Sequence, residues 1–213
     1  EEDNRLARAV EIAKDADVAV IFGGMPQGFE SEGHDRPHMR LPGPQDRLIS
    51  TVAAVNPKTV VVLNVGSPVE MPWIDDVAAV VLAYYPGQEA GDAATNALTG
   101  AVNPPANLPI RLPKRYADNP SYINFPGTHE VRYGEGLFVG YRYYDMKGIP
   151  PLFPFGHGLS YTTFEYSDLE VPENVAQGET FTVSVTITNT GDVAGAEVAQ
   201  LYVADKVSTL LRP

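Results

Sequence analysis

The chain has 213 residues, no cysteine, and 15 basic against 27 acidic side chains, for a formal charge of −12. That balance argues against nucleic acid or an anionic membrane surface as a partner, and the lack of cysteine excludes disulfides and thiolate metal sites. Hydrophobic content of 44% and charged content of 20% are ordinary globular values, with core enough for one large domain or two small ones.

The first residues, EEDNRLARAVEIAKDADV, are acidic and run straight into a helix pattern, so they do not read as a signal peptide. The beginning is expected to be a cut inside a longer protein, which leaves the compartment open. Leu6, Ala9, Val10 and Ala13 fall at helical spacing, and Asp15 and Asp17 break it. VAVIF (Val18 to Phe22), TVVVLNV (Thr59 to Val65) and VAAVVLAYY (Val77 to Tyr85) are apolar runs of the kind that form strands buried on both faces of a parallel sheet. The expected central strands are Val18–Phe22, Thr59–Asn64 and Ala78–Tyr84. A covering helix is expected over Gln45–Asn56, with Leu48, Ile49, Val52 and Val55 on one face and Asn56-Pro57 as its stop. GQEAGDAATNALTG reads as an alanine-rich helix capped by Gly100. The fold class is therefore α/β: an open, mostly parallel sheet sandwiched by helices. No apolar run approaches the length of a membrane span.

From Ala101 the texture changes to a proline- and aromatic-rich stretch, and from about Thr163 to an all-β pattern. Phe181, Val183, Val185 and Ile187 alternate with polar residues, and EVAQLYVAD supplies a further strand. With the strand around Phe164 to Val171 that makes three, too few for a closed β-sandwich. The end of the chain is thus also expected to be a cut, with residues 1–162 as one domain and 163–213 as a truncated second one.

Each strand run is followed by a polar loop bearing glycine or proline, where open α/β sheets bind ligands. The first loop, from about Gly23 to Pro44, is long enough to suggest function. It holds GFESEGHDRPHMRLPG, with Glu30 and Glu32 two apart; taken bare, both read as solvated loop carboxylates. His34 and His38 are separated by Pro37 and lack a third ligand, so no metal site is assigned. Ser67 and Ser160 lack a nucleophile elbow, His157 reads as a turn residue, and GGMPQG matches neither nucleotide-binding fingerprint. No cofactor is indicated.

ESEGHDRPHMRLPGPQDRLI, NVGSPVEMPW, YYPGQEAGDA, YGEGLFVGYRYYD and PLFPFGHGLSYTTFEYSDL, in that order, resemble the C-terminal half of a glycoside hydrolase family 3 enzyme. The resemblance implies an α/β sandwich followed by the start of a fibronectin type III-like domain. It also implies a retaining, exo-acting β-glycosidase, in the first place a β-glucosidase, whose nucleophile aspartate lies in a barrel domain absent from this chain. The substrate would be a β-linked oligosaccharide or glycoside. The family's general acid/base glutamate, in an E-G-x-D-R-like stretch, matches Glu32 better than Glu30; Asp35 and Arg36 would prop that loop, and Glu30 would shape or solvate it. One departure is NPPANLP, where the family usually has N-P-S-G-[KR]-L-P: Ala106 replaces Gly, and Asn107 the basic residue. A non-catalytic carbohydrate-binding or structural module is the contrasting reading, and a nucleotide-binding domain the third.

Overall fold

The structure, a computed structural model, describes residues 2–26 and 28–207. Its elements are α1 (Glu2–Lys14), β1 (Ala19–Gly24), α2 (Gln45–Ala53), β2 (Thr59–Asn64), β3 (Ala79–Leu82), α3 (Ala90–Leu98), α4 (Tyr141–Lys147), β4 (Phe164–Glu170) and β5 (Ser184–Asn189). β1, β2 and β3 form one parallel sheet in that order, with Ala19 opposite Thr59 and Val60 opposite Ala79. The expected α/β architecture is observed.

Of the three strands expected to be central, only β2 is. Val61, Val62 and Leu63 are fully buried, whereas Val20 and Phe22 of β1 are exposed. An uninterrupted apolar run gives strand propensity, but its place in the sheet depends on which neighbours pair with it. The core gathers on β2, with Ile49 of α2, Val65, Val69, Trp73 and Leu112 packed around Val61 and Leu63. Burying each such aliphatic side chain is worth about 1.5–3 kcal/mol.

α2 ends at Ala53, before the expected stop, and Asn56 is buried just beyond it. The Asn56 Nδ2 donates to the carbonyls of Ala13 and Ala16, each at 2.9 Å, and its Oδ1 accepts from the Lys58 N–H. One side chain thus satisfies carbonyls at the end of α1 and starts β2. α3 ends as expected, with Gly100 in the left-handed conformation (φ +75°). No helix among the described residues is long and apolar enough to cross a membrane.

β4 and β5 pair antiparallel as a separate two-stranded sheet. The further strand expected over EVAQLYVAD is not formed: residues 197–205 are irregular and exposed. A strand needs a ladder partner, and among the described residues this segment has none. Tyr166, Leu169, Val185 and Ile187 lie exposed on the pair. A lone two-stranded sheet is marginal in water. Limited proteolysis of the 213-residue chain is therefore expected to nick the segment after Thr163 before the β1–β3 core. A tail as protected as the core would show that another surface covers it.

Candidate functional site

The three parallel strands end on the same side, and their following segments converge there. Gln45, the first residue of α2, pins the base of the long loop: its Oε1 accepts from Gly24 N–H at 2.8 Å, and its Nε2 donates to the carbonyls of Gly24 and Pro42. A side chain at position 24 could not fit, since a Cβ there would lie 2.1 Å from the Asn64 carbonyl oxygen. The return limb is anchored by Met39 and Leu41, both buried, and by the Glu70 N–H donating to the Met39 carbonyl. The loop is long, but it is packed.

At its far end the chain makes a tight turn closed by an antiparallel bridge between Ser31 and His34, leaving Glu32 and Gly33 at the tip. Gly33 N–H donates to Ser31 Oγ at 3.1 Å. The Nε2 of His34 is 2.9 Å from the Gly28 carbonyl, which can only accept, so that nitrogen carries the proton.

Glu30, on the near side of this turn, is held from all three strand ends. Arg36 Nη1 donates to its Oε1 at 3.1 Å, and Ser67 Oγ donates to the same oxygen. The Gly66 N–H donates to Oε2 at 2.7 Å, and the Tyr85 hydroxyl also donates there. Arg36 Nη1 further donates to Ser67 Oγ and to the Pro68 carbonyl. The Glu30–Arg36 pair closes the base of the turn, with side chains only 12% and 15% exposed. Gly66 has no alternative: a Cβ there would meet the Tyr85 ring at 2.3 Å. Tyr84 takes φ +53°, ending β3 and turning the chain just ahead of Tyr85.

Glu32 and Asp35 are exposed, and neither carboxylate has a hydrogen bond or ion pair among the described residues. Solvation thus describes Glu32, while Glu30 is the anchor of the cluster. Of the two residues expected to prop the loop, Arg36 makes contacts that tie it down and Asp35 makes none. Gly66, Ser67 and Tyr85 were not expected here. Among the described residues, no three His, Cys, Asp or Glu side chains converge as a metal site would.

A family model described as the glycosyl hydrolase family 3 C-terminal domain matches residues 2–161. The chain belongs to that family. The thermostable β-glucosidase B of Acetivibrio thermocellus is 53% identical over 214 residues, covering 100% of this chain and 28% of that protein. The crystal structure of a family 3 β-glucosidase from Bifidobacterium adolescentis superposes with a TM-score of 0.86 at 41% identity, covering 95% of this chain and 31% of the other. A β-glucosidase from Streptomyces venezuelae, solved in complex with D-glucose, gives a TM-score of 0.84 at 42% identity, covering 91% and 25%. This chain thus spans less than a third of the length of each.

Electrostatics favour the charged form of Glu30 in this family 3 domain. Burial alone would push the Glu30 carboxyl up. The hydrogen bonds from Ser67, Tyr85 and Gly66, with the Arg36 charge, outweigh it and leave the group below its ordinary value. The Tyr85 phenol is pushed up, first by its bond to Glu30 and then by desolvation and the Glu30 charge. Glu30 is therefore ionised and Tyr85 neutral around pH 7. A carboxylate bound by four donors is a poor proton source, so Glu30 is unsuited to act as an acid.

Proposed function

We propose that this family 3 domain supplies Glu32 as the general acid/base of a retaining, exo-acting β-glycosidase, specifically a β-glucosidase removing terminal non-reducing β-D-glycosyl residues. The observation that carries the reading is the placement of Glu32: an exposed, unpartnered carboxyl at the tip of an anchored turn, on the ligand side of a parallel sheet. Family membership supplies the reaction class, and the β-glucosidase names of the relatives supply the substrate.

In such a reaction a carboxyl group protonates the departing glycosidic oxygen while a carboxylate about 5–5.5 Å away attacks the anomeric carbon. The first group, now a carboxylate, then takes a proton from the water that hydrolyses the glycosyl-enzyme. Glu32 plays the first part, and an aspartate of a barrel domain outside this chain the second. Glu32 must reach across to that domain, which a turn tip can do. Arg36 holds the turn through its contacts with Glu30, Ser67 and Pro68. The described residues from 163 to 207 are read as belonging to a fibronectin type III-like unit, with β4 and β5 among its strands.

Two measurements test this. The isolated 213-residue chain should not hydrolyse an aryl β-glucoside, because one carboxyl without its partner has no covalent route. Turnover by a preparation free of contaminating enzyme would refute the division of roles. In the parent enzyme carrying Glu32→Ala, added azide should restore turnover and yield a β-glycosyl azide, since azide attacks the intermediate without a base. A hydrolysis product alone, with no azide adduct, would remove Glu32 from the chemistry.

A further inference from the structure

We propose that Glu30 is the positioning residue for Glu32: its carboxylate clamps the turn carrying Glu32 to the ends of β2 and β3, so that the acid/base is held in place by a neighbouring charge. The inference rests on the reading of Glu32 as the acid/base. Its support is geometric. One residue separates Glu30 from Glu32, and that residue, Ser31, is fixed by its bridge to His34 and by its hydroxyl accepting from Gly33 N–H. Little slack remains between an anchored position 30 and the tip.

The anchor needs a carboxylate in particular. Oε1 accepts from Ser67 Oγ and Arg36 Nη1, and Oε2 from Gly66 N–H and Tyr85 hydroxyl. Every partner is a donor, on both oxygens. A glutamine of the same shape can accept at one end only and turns an NH₂ toward two donors at the other. The clamp also joins the three strand ends, because Glu30 and Arg36 follow β1, Gly66 to Pro68 follow β2, and Tyr85 follows β3. Releasing it frees the turn without removing any group from the hydrophobic core, which lies around Val61, Leu63 and Trp73.

The test is a double-mutant cycle in the parent enzyme, measured with an alkyl β-glucoside and with a nitrophenyl β-glucoside. Thermal unfolding checks that each variant folds. Glu30→Gln should lower kcat/KM, which reports the glycosylation step, on the alkyl substrate by about 10- to 100-fold, the scale expected when a catalytic group is misplaced by about an ångström. The loss of kcat/KM on the nitrophenyl substrate should be smaller, since that leaving group needs no proton in glycosylation. Tyr85→Phe, which deletes one of the four donors, should move both values in the same direction by less.

The decisive comparison is with Glu32→Ala as background. If Glu30 acts through Glu32, Glu30→Gln adds little further loss once Glu32 is gone. A residue that merely stabilises the domain would cost the same factor in both backgrounds and on both substrates, and that result overturns the proposal while leaving Glu32 as the acid. If Glu32→Ala itself shows no dependence on the leaving group, the acid/base reading fails and the positioning role fails with it.

Discussion

Glu32→Ala in the parent enzyme is expected to slow hydrolysis of an alkyl or disaccharide β-glucoside by about 10²–10⁴-fold, the usual worth of general acid catalysis. The loss follows from the leaving group. A sugar or alkyl alkoxide departs poorly unless it is protonated as the bond breaks, and in the proposed reading Glu32, at the exposed turn tip, supplies that proton. A nitrophenolate departs readily as the anion, so its glycosylation step should be far less affected. Deglycosylation still lacks its base, so the glycosyl-enzyme should accumulate, visible as a burst of nitrophenol followed by slow turnover. The limb of the pH profile reporting the acid should flatten. Equal losses of kcat/KM on both leaving groups would show that Glu32 serves the fold rather than the proton transfer.

Much of the α/β layer was legible because it follows from local pattern. β2 falls on the expected residues, Thr59–Asn64, since an apolar run bounded by Pro57 and Gly66 leaves few alternatives. β1 runs on to Gly24 where a loop was expected. Glycines read locally as turn residues, but Gly23 and Gly24 pair with Leu63 and Asn64, and pairing outweighs propensity. β3 stops at Leu82 rather than Tyr84 because the positive φ at Tyr84 turns the chain, which apolar patterning does not signal.

The site was legible in part. The loop and its two glutamates stand out, yet two residues of spacing do not reveal which carboxylate is held and which is displayed. That difference comes from Ser67 and Tyr85, 37 and 55 residues away from Glu30. In the sequence Ser67 reads as a serine without a nucleophile elbow, and Tyr85 as the end of an apolar run. A usable signal did exist: Gly66, Ser67 and Tyr85 each lie just past the carboxyl end of a parallel strand, where loops from neighbouring strands meet. The ends of β2 and β3, taken with the loop after β1, bring these residues to Glu30.

Trp73→Ala is expected to cost about 3–5 kcal/mol of folding free energy, the range for truncating a buried aromatic. It should be read as a lower urea midpoint with little change in slope. Trp73 is fully buried in the core around β2, and its Nε1–H donates to Asp46 Oδ1 at 2.8 Å. Trp73→Phe separates the two contributions: most of the ring volume stays, and the lost donor should cost about 1–3 kcal/mol. Burial holds the Asp46 carboxyl above its ordinary value; the Trp73 bond and Arg40 oppose that rise, and Glu70 adds to it. A carboxyl raised in the fold gives its full stability below the unfolded pKa and loses it as pH rises through the folded one. Removing the Trp73 donor raises the group further, so the penalty of ionising it in the fold grows. The Trp73→Phe deficit should therefore be largest near neutral pH and narrow as pH falls below the usual Asp range, where Asp46 is protonated in both proteins. A deficit that stays constant across that window would assign the worth of Trp73 to packing alone.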